Sequence, residues 1–117
     1  MTKTVVLVVE DEALIRMCAV ELIEHAGHTV YEAAHSDHAI RQLEAHLDIT
    51  VVFSDIDMPR GSMDGLKLIH AVRNRWPPVI LILASGRASP LVADMPPETI
   101  FLRKPYSEET LLKAIAA

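Results

Sequence analysis

Five apolar runs punctuate the chain, and between them apolar residues recur at helical spacing. The runs at 4–9, 29–33, 50–54, 79–83 and 99–102 predict strands. Val5-Val6-Leu7-Val8-Val9, Val51-Val52-Phe53 and Val79 to Leu83 are unbroken β-branched and aliphatic segments. Such runs mark strands buried on both faces, as in a parallel sheet. Helices are predicted over 13–26, 37–46, 65–75 and 108–116, with a weaker one over 88–94. Leu66, Ile69, Val72 and Trp76 give the third helix an apolar stripe. Cys18 joins Leu14 and Leu22 on the apolar side of the first helix, as a small core residue. Gly27 reads as the stop of that helix, and Ser36 and Ser107 as N-caps. Glu108 and Glu109 fall in a first turn, where the helix dipole favours negative charge. Pro90 fits a first turn, but Pro96 and Pro97 end any helix before them within two turns. Strand–helix alternation with short links implies right-handed crossovers and helices on both faces of an α/β sheet.

Length and composition narrow the class. The 117 residues suit one domain, taken as 1–117, and half of them are hydrophobic. Aromatic residues make up only 4%, so aliphatic side chains must fill the core. A net charge of −5 argues against a nucleic-acid surface, which needs clustered Lys and Arg. The single cysteine excludes an intramolecular disulfide and fits a reducing compartment. The first apolar run is too short for a signal peptide or a membrane span. The expectation is a soluble cytoplasmic protein that engages neither nucleic acid nor membrane directly.

Chemistry collects where the strands end. The first run leads into Glu10-Asp11-Glu12, the third into Asp55, the fourth into Ser85-Gly86 and the fifth into Lys104-Pro105. Open α/β sheets keep their sites at such strand exits. Carboxylates of Glu10 or Asp11 and Asp55 held about 4 Å apart repel by roughly 1 to 4 kcal/mol per pair. A divalent cation removes that cost, and a few hard oxygen ligands suit Mg²⁺, which also takes phosphate oxygens. Asp55 can then act as a nucleophile toward phosphorus, with Lys104 neutralising the transferring oxygens and Ser85 donating a hydrogen bond.

The set Glu10-Asp11, Asp55 with Met58-Pro59, Met63-Asp64-Gly65, Ser85-Gly86 and Lys104-Pro105 resembles the receiver domain of two-component response regulators. It covers nearly the whole chain in order, and five motifs in register are specific where one would be weak. The resemblance implies a flavodoxin-like (βα)5 fold with sheet order 2-1-3-4-5, here with a shortened or irregular fourth helix. It implies that Asp55 is the phosphoacceptor, taking phosphate from a sensor histidine kinase or phosphotransfer protein. Glu10, Asp11, Asp55 and the Asp57 backbone carbonyl would hold Mg²⁺, with Mn²⁺ as a substitute. Ser85 stands where threonine is common, Lys104 contacts the phosphoryl group, and the Lys104–Pro105 bond would be cis. Phe101 matches the switch aromatic that turns inward when Ser85 moves toward phosphate. The output would be control of a protein partner, by a monomer or a phosphorylation-linked dimer, with no separate substrate.

Three departures stand out. The stretch from Ser85 to Lys104 is short and proline-rich, in the region that forms the family's output face with the fifth strand and last helix. Asp57 lies two residues past Asp55 and Arg87 two past Ser85, a pair read as meeting at the site mouth and setting phosphoryl lifetime. Arg60-Gly61-Ser62 lengthens the loop before Met63.

Plainer readings stand beside these. Phe101 could be core filling, Asp57 a solvated acid, and Lys67, Arg73 and Arg75 a solvated helix face. The pairs His25/His28 and His35/His38 straddle different elements and lack cysteine partners, so surface placement is expected. Two competing functions remain. Asp55-Ile56-Asp57 resembles the Asp-x-Asp of haloacid-dehalogenase-like phosphatases, although that family carries it near the N-terminus. A receiver-like docking module that never uses phosphate is the other.

Overall fold

The computed structural model describes residues 3–58, 64–86 and 94–116. Strands β1 (Val5–Val9), β2 (Thr29–Ala33), β3 (Val51–Asp55), β4 (Ile80–Ser85) and β5 (Ile100–Arg103) alternate with helices α1 (Ala13–His25), α2 (Ser36–Ala45) and α3 (Gly65–Arg75), and α4 (Glu108–Ala116) follows β5. All pairings are parallel, in the order β2-β1-β3-β4-β5, so the sheet is flavodoxin-like as expected. The predicted helix over 88–94 falls almost wholly outside the described residues.

The period of two along each strand sorts the core into two layers. Val5, Leu7, Val9, Val52, Leu81 and Leu83 face α2 and α3, where Leu43, Leu68, Ile69 and Val72 are buried. Val6, Val8, Val51, Phe53, Ile82 and Ala84 face the other way, onto Ala19 and Ile23 of α1 and Leu111 and Ile115 of α4. With both faces covered, β1, β3 and most of β4 are buried end to end, which is why their sequences are unbroken apolar runs.

Local chemistry sets the helix ends. Gly27 has φ +99°, and its N–H donates to the Glu24 carbonyl while His28 N–H donates to Ile23. This closing pair needs a left-handed residue, which glycine supplies cheaply. Ser107 Oγ accepts from Thr110 N–H at 3.0 Å and caps α4 as predicted. The cap of α2 differs from expectation: it is His35, whose Nδ1 accepts from His38 N–H, and Ser36 is the buried first residue of the helix.

Two further expectations are corrected. Cys18 is exposed, and Leu14 is 72% and Met17 54% exposed. Helix α1 is apolar nearly all round, and it seats its smaller Ala19 against the sheet together with Ile23. Arg73 is not solvated. Its guanidinium donates to the carbonyls of Pro77, Val79 (3.0 Å) and Pro97 (3.3 Å), fastening α3 to the loops on either side of β4. Arg75 does lie on the surface, paired with Glu44 and stacked over the Trp76 ring.

The chain enters β5 through a turn in which Thr99 N–H and Oγ1 both point to the Pro96 carbonyl. Pro97 precedes Glu98, whose φ is +66°. Proline followed by positive φ marks a type II turn, and glycine is the residue that accepts that φ without strain. Glu98→Gly is therefore expected to raise stability by about 0.5 to 1 kcal/mol. A denaturant midpoint that falls or stays put in this variant would show that the turn is not strained.

Candidate functional site

Three neighbouring strands and β5 deliver their terminal residues to one edge. Glu10 continues the face of Val6 and Val8, Asp55 that of Val51 and Phe53, and Lys104 that of Ile100 and Leu102. The parallel register sets Val9 beside Ser54 and Asp55 beside Ala84, so these side chains converge over α1. They border an open cleft of about 310 Å³, lined also by Asp11, Asp57 and Gly86.

Glu10 and Asp55 are nearly buried, at 6% and 7% exposure. Lys104 Nζ lies 2.9 Å from Asp55 Oδ1 and 3.2 Å from Glu10 Oε1, one ammonium between two carboxylates. Burial pushes the Asp55 carboxyl above its ordinary range; Lys104 opposes that rise, and Asp57 and Asp11 add to it. Glu10 is raised for the same first reason, opposed by the Glu12 N–H and reinforced by Asp55. Burial alone would lower the Lys104 ammonium, but its close contacts with the Asp55 and Glu10 carboxylates outweigh that and hold it above the usual lysine range.

Carboxylate oxygens of Glu10, Asp11 and Asp55 lie within 4.8 Å of one another. Asp55 Oδ1 is buried and accepts no aligned hydrogen bond; its contact with Lys104 is an ion pair set by distance alone. A cluster of hard anionic oxygens, one with unsatisfied lone pairs, fits an oxygen-seeking divalent cation such as Mg²⁺.

Backbone contacts fix the acidic corner. Arg16 donates to the Glu10 carbonyl at 2.7 Å and pairs with Glu32, tying α1 to the β1 exit. Asp64 Oδ1 accepts from Lys67 N–H and caps α3. Gly65 donates its N–H to the Ile56 carbonyl, and a Cβ there would stand 2.0 Å from the Asp55 carbonyl oxygen. Only glycine lets α3 start this close to the Asp55 peptide.

Ser85 is fully buried at the end of β4, and its hydroxyl donates to Asp57 Oδ2 at 2.9 Å. Asp57 is therefore hydrogen-bonded rather than merely solvated. Arg87, its expected companion, lies outside the described residues, as do Pro59, the 60–62 insertion and Met63. Lys104 N–H donates to the Ser85 carbonyl, and the Lys104–Pro105 peptide is cis. Phe101 lies opposite Leu83 and packs, half-buried, on the α2/α3 layer. His25 is exposed, and His28, His35 and His38 are half-buried. Sequence reasoning missed Arg16 and the Asp57–Ser85 bond. Arg16 carried one available signal: it is a cation one helical turn past a strand-end acid.

Residues 6–116 match the family model of the response regulator receiver domain. Among curated relatives, the sensor kinase CckA of Brucella abortus is 35% identical over 94% of this chain and 12% of its own length. The chemotaxis protein CheY1 of Helicobacter pylori is 32% identical over 90% of this chain and 88% of its own. The chain spans 12%, 23% and 22% of the first three curated relatives it matches. Among solved structures, a response regulator receiver domain protein from Clostridium thermocellum superposes with a TM-score of 0.88. It is 26% identical, over 97% of this chain and 91% of that one.

Proposed function

The chain belongs to the response regulator receiver domain family, and on that premise we propose that it is a phosphorylation-dependent switch whose phosphoacceptor is Asp55. Receiver domains are modules of two-component signalling rather than typical substrate-converting enzymes. The observation that carries this reading is the convergence of Lys104, Glu10 and Asp11 on a nearly buried Asp55 in an open cleft. The phosphatase alternative leaves Glu10 and Asp11 without a role, and the docking module leaves the whole charged corner without one.

The donor is a phosphohistidine on a sensor kinase or phosphotransfer protein. An Asp55 carboxylate oxygen attacks phosphorus, the phosphorus–nitrogen bond breaks, and the imidazole nitrogen keeps the electron pair. Asp55 is left as an acyl phosphate. Lys104, already at Asp55, pairs with a transferring oxygen, and Ser85 donates a hydrogen bond to another. Mg²⁺, held by Glu10, Asp11, Asp55 and the Asp57 carbonyl, would neutralise charge developing on those oxygens. The apolar groove of about 330 Å³ between α1 and α4, lined by Leu14, Ile15, Cys18 and Leu22, shares Ile15 with the cleft. A donor helix seated there reaches the carboxylate. As Ser85 follows the phosphate, Phe101 turns inward and the surface of β5 and α4 changes for a protein partner in the cytoplasm.

Incubation with Mg²⁺ and acetyl phosphate should add one phosphoryl mass to the intact protein and none to Asp55→Asn. Absence of labelling under any small donor would sink this reading.

A further inference from the structure

Ser85 is needed at the phosphoryl group, yet its hydroxyl is already engaged. It lies fully buried, 2.9 Å from Asp57 Oδ2, across 28 residues of sequence. A serine hydroxyl has one proton to donate. It can give that proton to the Asp57 carboxylate or to a phosphoryl oxygen on Asp55, and hydrogen bonds to charged acceptors are the stronger kind. Resting on the receiver reading above, we propose that Asp57 is a positioning residue that holds the Ser85 hydroxyl in the resting state and yields it only when a phosphoryl group competes for its proton. The acid is suited to this place. It is half-buried, so its carboxylate is within reach of Ser85, and it follows the β3 exit, so its main chain stays beside the phosphoacceptor whatever the side chain does. The latch opposes the switch and makes partial occupancy of the site less able to move Ser85.

Beryllofluoride with Mg²⁺, a stable mimic of the phosphoryl group, measures this directly. Its apparent Kd would be followed through the Ser85 and Lys104 amide resonances in wild type, D57A, S85A and the double variant. Removing the latch should tighten binding in D57A by about tenfold, the worth of one such hydrogen bond. In the S85A background the same D57A change should tighten binding only about two- to threefold, because loss of negative charge is all that remains. D57N removes the charge and keeps an acceptor, so it should tighten less than D57A; this isosteric variant also serves if D57A gives a non-native spectrum. Equal factors with and without Ser85, or no tightening in D57A, would overturn the latch alone. Failure of the wild type to bind the mimic would overturn the receiver reading and the latch with it.

Discussion

Adding one methyl group at position 65 should cost about 3 kcal/mol of folding stability and displace Asp55. The Cβ of Gly65→Ala would stand 2.0 Å from the Asp55 carbonyl oxygen and 2.8 Å from the Ile56 Cα. Both are main-chain atoms of the β3 exit, so no side-chain rotation relieves the overlap. Either α3 withdraws, losing the burial of Leu68, Ile69 and Val72, or the Asp55 peptide moves. Overpacking of this kind costs 1 to 3 kcal/mol or more. Gly27→Ala is the natural comparison. It is strained by its φ of +99° but meets nothing within 4 Å, so about 1 kcal/mol is expected there. Urea unfolding of both variants decides the point: equal losses would mean that α3 does not abut Asp55.

Lys104→Met should both disable the site and steepen its response to pH. Among the described residues Lys104 is the cation lining the cleft, and without it phosphorylation should slow by about 10²-fold, as when one charge-stabilising donor is removed. The metal-free variant should also lose about 2 kcal/mol near neutral pH. That is less than for a fully enclosed pair, because the cleft is open to water. Asp55 and Glu10 are already raised by burial; Lys104 is the chief restraint on Asp55, and on Glu10 it acts after the Glu12 N–H. A carboxylate raised in the folded state weakens folding once pH passes its folded value, and imposes nothing below its unfolded value of about 4. The loss should therefore be small near pH 4 and grow as pH rises through the raised carboxyl range, and Mg²⁺ should restore part of it. Thermal unfolding at both ends of that range, with a loss independent of pH, would refute this account of the charge balance.

The sequence made the architecture legible because two-sided burial writes itself as apolar runs, and β1, β3 and β4 are buried on both sides. Helix bounds were readable within a residue or so, and α1 and α4 carry their stop and cap in Gly27 and Ser107. Asp55, Glu10, Asp11 and Lys104 were legible as acids and an amine at strand exits. Helix α1 misled, because its apolar residues fill nearly every direction and periodicity cannot choose which face meets the sheet. The sheet took Ala19 and Ile23, and left Leu14, Met17 and Cys18 outside. His35 displaced Ser36 as a cap because the backbone turn sits one residue earlier than composition suggested. The Asp57–Ser85 bond and the Arg73 contacts join loops distant in sequence, and local pattern holds no record of such meetings.

Helix α3 is held by main-chain atoms at both of its ends. Gly65 rests against the Asp55 peptide at one, and Arg73 grips the carbonyls of Pro77, Val79 and Pro97 at the other. Its placement thus depends little on the volume of the side chains between those ends. Trimming the fully buried Leu68, Ile69 or Val72 should accordingly cost stability while the acidic corner keeps its shape.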